Sequence, residues 1–325
     1  MRMDRRGVII RGTGRCVPSR VVTNEEFSRK LDTTDDWIRT RTGIRERRIA
    51  ATTDTAASLG TEAAWKALDA ARLTPRDIDL IICATVTPDF ACPATANVIQ
   101  AQLGCRTIPS FDLTAACTGF LYGLHVAEQF VRAGTATNVL LIGSELLSRV
   151  FDPTDRNTAI LFGDGAGAIV VGAGDPGSGI HRVRLYSDGS RPELISVPSI
   201  VTPEANRQNG PYLAMNGREV FKFAVTKMTE LISQAQLDCG ELGLTLDMIV
   251  PHQVNRRIVD AAVEATGYPA ERIKLNLDHF GNTSAASVPI ALDEVIRDGQ
   301  CASGQTILLA AFGGGLTWGS AIVTL

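Results

Sequence analysis

Five short segments of this 325-residue chain recur in the same order further along it, which confines the chain to folds built from two similar halves. Asp79-Leu80-Ile81-Ile82 answers to Asp247-Met248-Ile249-Val250, each after a Leu-Thr pair. Ser110-Phe111-Asp112-Leu113 answers to Ile273-Lys274-Leu275-Asn276-Leu277, and Val139-Leu140-Leu141-Ile142-Gly143 to Ile307-Leu308-Leu309-Ala310-Ala311. The halves close on Phe162-Gly163-Asp164-Gly165 and on Phe312-Gly313-Gly314-Gly315. Cys117 stands 17 residues before the helix-ending Gly134, and Asn282 stands 17 before Gly299. Asn282 is therefore expected at the position in the second half that Cys117 holds in the first. Short apolar runs alternating with helical segments indicate βαβ units and a sheet rich in parallel strands.

The seam is expected in the Gly/Pro-rich stretch 172–179, giving halves of residues 1–174 and 175–325. Helices are expected over 55–71, 95–103, 217–236 and 255–266 from their apolar spacing. Residues 191–211 are rich in proline and read as irregular surface structure. A net charge of −3 gives no general attraction to nucleic acid or anionic membranes. No apolar run reaches membrane-spanning length, and the basic N-terminus (Arg2, Arg5, Arg6) precedes only three apolar residues, too few for a signal peptide. Seven scattered cysteines without a C-x-x-C pair argue against both a disulfide framework and a metal site. These features place the protein in the cytoplasm. Gly12-Thr13-Gly14 lacks the third glycine of a dinucleotide fingerprint, and Pro18 blocks a helix there.

The chemistry concentrates in four places. Cys117 is flanked by small residues and opens an apolar helix, where the helix N-terminus is expected to favour the thiolate. His252 follows a buried strand, at the strand end where α/β sheets place ligands. His125 and His181 read as structural, and His279 as a weaker second candidate. Asn282 lies in Gly281-Asn282-Thr283-Ser284-Ala285-Ala286-Ser287. With His252 it offers neutral donors for an enolate oxygen. The turn Gly313-Gly314-Gly315 lets backbone N–H groups approach a carbonyl.

Ala116-Cys117-Thr118-Gly119-Phe120, Pro251-His252-Gln253 with Asn255, the Gly281–Ser287 stretch, Phe312-Gly313-Gly314-Gly315, and Asp36-Trp37-Ile38 with Arg41-Thr42-Gly43-Ile44-Arg45 together resemble the β-ketoacyl-ACP synthase III family. The resemblance implies a thiolase fold: an α/β protein of two similar βαβ-rich halves in a five-layered αβαβα arrangement, usually a homodimer. It implies that Cys117 accepts an acyl group from acyl-CoA, and that His252 and Asn282 assist decarboxylative condensation with malonyl-ACP. Backbone N–H groups of Cys117 and Gly314 would form the oxyanion hole. Trp37, Arg41 and Arg156 would hold the adenine end of CoA, and Asn255 and Arg218 would lie along the pantetheine path. Phe312 would border the acyl pocket. Arg256, Arg257 and Lys222 would meet acyl carrier protein. No cofactor or metal is implied.

The chain departs from close relatives of that family at three positions. Asn157 replaces a glycine beside the adenine site, and Arg218 replaces an asparagine. Cys92 stands where acetyl-specific relatives carry a phenylalanine that reaches from the partner subunit to the pocket floor. The smaller cysteine predicts primers longer than acetyl. A related condensing or acyl-transfer enzyme of secondary metabolism is the alternative. Thiolases need a second cysteine in the last glycine turn, where Phe312 stands here. A papain-like hydrolase also uses Cys, His and Asn, but its flanking pattern around the cysteine is absent here. A non-catalytic acyl-binding scaffold would be expected to lose Cys117, His252 or Asn282.

Overall fold

The computed structural model describes residues 7–325. The strands of the first sheet are Gly7–Cys16 (β1), Leu80–Ala84 (β2), Ser110–Leu113 (β3), Asn138–Leu146 (β4) and Asp164–Gly174 (β5), in the spatial order β1-β5-β4-β2-β3. Those of the second are Ile180–Ser187 (β6), Leu246–Pro251 (β7), Thr306–Gly313 (β8) and Thr317–Thr324 (β9), in the order β7-β8-β9-β6. Pairing directions repeat as well. β1 and β4 both run antiparallel to β5, and β2 is parallel to both β4 and β3. In the second sheet β6 and β8 run antiparallel to β9, and β7 is parallel to β8. The counterpart of β3 has shrunk to one parallel bridge between Ile249 and Ile273.

The helices relevant to the site are Asp35–Thr42 (α1), Ala56–Ala71 (α2), Thr95–Leu103 (α3), Gly119–Arg132 (α4), Gly217–Leu242 (α5), Arg256–Thr266 (α6) and Ser287–Arg297 (α7). Their ends follow local chemistry. Thr55 and Ser58 close a capping box at the start of α2, and Gly104 and Gly267 take left-handed conformations after α3 and α6. Helix α5 runs six residues past the expected end at 236, to the left-handed Gly243. Leu237 faces solvent there, but Asp238 and Cys239 are buried and the helix carries through Gly240 before it stops.

Alternation along each strand sorts side chains into layers. Leu80 and Ile82 face inward with Phe120, Leu121 and Leu124 of α4 and Val288, Leu292 and Val295 of α7, against Val250, Ile307 and Leu309 of the second sheet. Ile81 and Cys83 face outward, under α2 and α3. Met228, Leu231 and Ile232 of α5 and Ile258 of α6 cover the outer face of the second sheet. The result is α2/α3, sheet, α4/α7, sheet, α5/α6: the five-layered thiolase fold. Gly12-Thr13-Gly14 serves this packing. A Cβ on Gly12 would stand 2.5 Å from the Ala67 carbonyl oxygen, and one on Gly14 would stand 2.3 Å from that of Ala63. Among the described residues no helix is long and apolar enough to cross a membrane, and no cluster of three or more His, Cys, Asp or Glu could hold a metal ion.

Candidate active site

After β3 the chain makes a tight 3-10 turn, Ala116–Thr118, that feeds α4. Ala116 is forced to φ +46°. The second half repeats the device: the 3-10 turn Ser284–Ala286 feeds α7, with Ser284 at φ +49°. Non-glycine residues in this region carry strain that surrounding packing must hold in place. The matched turns show that the structural counterpart of Cys117 is Ala285, not Asn282. The equal 17-residue spacings arise because α7 has 11 residues and α4 has 14, so the count from the terminal glycine slips by three. Asn282 reaches the same cavity from the segment just before the turn.

Cys117 is gripped from two sides. A Cβ on Gly313 would stand 2.8 Å from the Cys117 backbone nitrogen and 2.9 Å from its Cβ, so only glycine permits the contact. Thr317 Oγ1 lies 3.0 Å from Thr118 Oγ1, 3.0 Å from the Gly314 carbonyl oxygen and 3.2 Å from that of Ala115, tying the glycine turn to the nucleophile turn. Burial pushes the Cys117 thiol up to about 12. This runs against the sequence expectation of a depressed thiol, the loss of water being the largest influence and disfavouring the thiolate.

His252 follows β7, its backbone N–H donating to the Ala310 carbonyl at 2.7 Å. Its Nδ1 lies 2.7 Å from the Ser287 hydroxyl, and its ring meets Phe312 edge-on at 5.7 Å between centroids. Burial lowers its pKa to about 3, so the imidazole is neutral across the physiological range. Neutral imidazole carries one ring proton, and when the Ser287 hydroxyl donates to Nδ1 that proton sits on Nε2, facing the cavity. Asn282 is held by its backbone, donating to Leu161 and accepting from Gly163. Its Oδ1 accepts from the Ser284 N–H at 2.8 Å, so its carboxamide NH2 is the end left free. Cys117, His252, Asn282 and Phe312 line one cavity of about 650 Å³, whose other walls include Val86, Leu147, Phe162 and Leu213.

This cavity shares Phe162, Leu213, Met215, Val220, Val254 and Asn282 with a larger outer cleft of about 1270 Å³. Trp37, Arg41, Asn157, Arg218, Lys222, Asn255 and Arg257 line the outer cleft. The Arg41 and Arg156 guanidinium groups lie 4.8 and 5.2 Å from the Trp37 ring centroid. Arg156 is off the cleft wall and also donates to the Asp32 carbonyl at 2.7 Å. Asn255 caps α6 by accepting from the Arg257 N–H, and its amide donates to the Arg41 carbonyl, joining the two sides of the mouth. Arg257 covers Phe221, while Arg256 and Lys222 pair on the surface with Asp260 and Glu219. Such exposed pairs contribute only about 0–1 kcal/mol each.

Some candidates are not brought here. Cys92 is exposed and off the cavity wall of its own chain. His279 lies on the surface beside Glu46 and Asp278, and His125 pairs with Glu128 on α4. Sequence reading missed Ser287, Ser284 and Thr317. Ser287 and Ser284 stood inside the quoted Gly281–Ser287 stretch, but which hydroxyl faces His252 depends on a contact 35 residues away in sequence.

Two family models, described as 3-oxoacyl-[acyl-carrier-protein (ACP)] synthase III and its C-terminal part, match residues 111–189 and 241–325. A protein named β-ketoacyl-[acyl-carrier-protein] synthase III 1 from Vibrio parahaemolyticus is 48% identical over 315 residues, covering 97% of this chain and 98% of the relative. The crystal structure of 3-oxoacyl-[acyl-carrier-protein] synthase III from Aquifex aeolicus superposes with a TM-score of 0.91 at 43% identity, covering 98% of this chain and all of that one. The priming β-ketosynthase of the R1128 polyketide biosynthetic pathway gives a TM-score of 0.91 at 36% identity, over 98% and 97% of the two chains.

Proposed function

The chain belongs to the β-ketoacyl-[acyl-carrier-protein] synthase III family, and from that premise we propose how its residues share the reaction. It is an acyltransferase that condenses an acyl primer with malonyl-ACP to give β-ketoacyl-ACP and CO2. Cys117 attacks the acyl-CoA thioester and CoA leaves. Backbone N–H groups of Cys117 and Gly314 hold the oxyanion. Malonyl-ACP follows, and His252 Nε2–H and the Asn282 NH2 donate to its thioester oxygen. The C–C bond electrons released with CO2 form an enolate that attacks the acyl-cysteine. No cofactor has to accept electrons.

The observation that carries this reading is the occupancy of the outward atoms. Ser287 takes His252 Nδ1 and the Ser284 N–H takes Asn282 Oδ1, which leaves two neutral donors beside one thiol. A donor pair without a base suits an enolate made by decarboxylation rather than by proton removal.

The outer cleft takes the CoA and pantetheine arm: Trp37, Arg41 and Arg156 at the adenine end, Asn255 and Arg218 along the path. Arg256, Arg257 and Lys222 at its mouth meet an acidic carrier protein. The two functional halves are residues 1–174 and 175–325, the first carrying Cys117 and the second His252 and Asn282. The protein works in the cytoplasm, where a nucleophilic thiol among seven unpaired cysteines stays reduced. It works as a homodimer joined at β3, the open edge of the first sheet. Light scattering should then give twice the 34.7 kDa chain mass, and a monomer at micromolar concentration would remove both the dimer and the reach of Cys92 into a neighbour's pocket.

A ladder of acyl-CoAs offered with malonyl-ACP tests the function. The expected result is β-ketoacyl-ACP with matching CO2 release, and primers longer than acetyl preferred. Acetyl-CoA outcompeting every longer primer in kcat/KM would refute the role given to Cys92. Acylation of Cys117 without CO2 would favour the second reading, a priming or acyl-transfer enzyme of secondary metabolism with another extender. That reading is supported by the departures at 92, 157 and 218 and by the likeness to the polyketide-priming synthase.

A further inference from the structure

Arg47 is fully enclosed, 0% exposed, and its guanidinium meets neutral oxygens rather than carboxylates. It lies on the short strand Glu46–Arg48, which pairs antiparallel with Val21–Thr23. Nη1 donates to Asn24 Oδ1 at 2.8 Å and to the Val22 carbonyl at 3.3 Å, and Nη2 donates to the Ile160 carbonyl. Nε is buried without a partner, and the Phe27 ring lies 4.6 Å beneath the guanidinium carbon. Glu26 and Glu46 pair instead with Arg20 and Arg48. Taking a guanidinium out of water for neutral acceptors is costly, and an apolar side chain would fill the same volume at lower cost. What the fork joins therefore matters more than the space it fills. It reaches the stretch 160–163, which carries Asn282. The Leu161 carbonyl accepts the Asn282 N–H at 2.8 Å, and the Gly163 N–H donates to the Asn282 carbonyl at 3.0 Å. Phe162 and Asn282 thereby form a parallel bridge between the two halves of the chain. The stem of Arg47 packs on both sides of that bridge. A Cβ on Gly163 would stand 3.2 Å from the Arg47 Cβ, and one on Gly281 would stand 3.3 Å from it. Two residues earlier, the Arg45 N–H donates to the Asp278 carbonyl at 3.0 Å, just before Asn282.

We propose that Arg47 is the positioning residue for Asn282. Its guanidinium ties Val22 and Asn24 to the 160–163 stretch and so sets where the Asn282 NH2 stands. The Ser284 N–H on Oδ1 fixes which way the carboxamide turns, but both backbone hydrogen bonds of Asn282 go to Leu161 and Gly163. A shift of that stretch moves one donor of the enolate pair and leaves the other. His252 is held elsewhere, by Ala310 and Ser287, and the Cys117 turn by Gly313 and Thr317. Arg47 itself touches no reacting group. The place requires arginine because a planar fork reaches Asn24 and Ile160 at once, where lysine brings a single nitrogen. The same stretch presents Phe162 to the catalytic cavity and the outer cleft, so Arg47 also steadies the wall beside Asn282. The proposal rests on Asn282 serving as an enolate donor.

Arg47→Lys and Arg47→Met in the full-length protein test this. Decarboxylation of malonyl-ACP should slow on the order of 10-fold with lysine and 10²-fold with methionine. Single-turnover acylation of Cys117, followed by intact mass, should stay within a few-fold. A double-mutant cycle separates alignment of Asn282 from general loosening of the fold. In an Asn282→Ala background, Arg47→Lys should slow decarboxylation no further, because the group it aligns is gone. In a His252→Ala background its effect should persist. An equal fall of both half-reactions, decarboxylation at the parental rate, or the full loss on top of Asn282→Ala would overturn the proposal. If Arg47→Met fails to fold, Arg47→Lys decides alone, since it keeps the charge and the buried stem. Parental decarboxylation in Asn282→Ala itself would instead overturn the donor role given to Asn282, and the proposal with it.

Discussion

Cys117→Ser is expected to lower acyl transfer from acyl-CoA on the order of 10³-fold or more, with acyl-enzyme undetectable by intact-mass measurement. The reason lies in the surroundings of the sulfur. Burial already holds the thiol up to about 12, so little thiolate stands ready near neutral pH. A serine hydroxyl is a weaker acid still and a poorer nucleophile. Thr317 and Gly313 hold the turn through backbone and hydroxyl contacts that the substitution leaves in place, so the fold should persist. Unchanged thermal unfolding with lost acylation is the expected pair of results. Parental acyl-enzyme formation in Cys117→Ser, or an adduct on another cysteine, would take the nucleophile's role from this residue.

His252→Ala is expected to split the reaction differently. Acylation should stay within a few-fold, while decarboxylation of malonyl-ACP should fall about 10²–10³-fold, the usual cost of one oxyanion donor. Phe312 and Ser287 would flank the vacated space without supplying an N–H toward the substrate. The pH dependence follows from the burial. The folded pKa is about 3 and the unfolded value about 6.5, so the unfolded chain takes up the proton first as pH falls. His252 therefore withdraws stability as pH drops through 6.5 toward 3, yet it leaves no acid limb in decarboxylation between pH 5 and 8. Stopped-flow CO2 release across that range checks the second statement. An acid limb there that disappears in His252→Ala would mean that the ring titrates and is not a fixed neutral donor.

Much of this was legible in the sequence because the signals are local. Apolar spacing marked the helices over 55–71, 95–103 and 255–266, and short apolar runs marked the buried strands. The duplication was legible too, and the paired sheets repeat it strand for strand except where β3 has no full counterpart. The equivalence of Asn282 with Cys117 failed because a count along one chain cannot detect that α7 is shorter than α4. The thiol's direction of shift failed because burial is a property of packing, and the helix end was the only term the sequence displayed.

Dividing thiol and donors between two halves turns the central α4/α7 layer into the frame that sets their separation. Neither half can drift without spoiling the alignment of the other. Leu124 and Leu292 touch no substrate group, yet they belong to the spacer whose thickness fixes where Cys117 stands relative to His252. Slack in such an assembly spoils the alignment of nucleophile and donors before the fold itself gives way. Wear in this spacer would register first as mistimed chemistry, with the nucleophile charged and its acyl group waiting for an enolate that forms slightly out of reach.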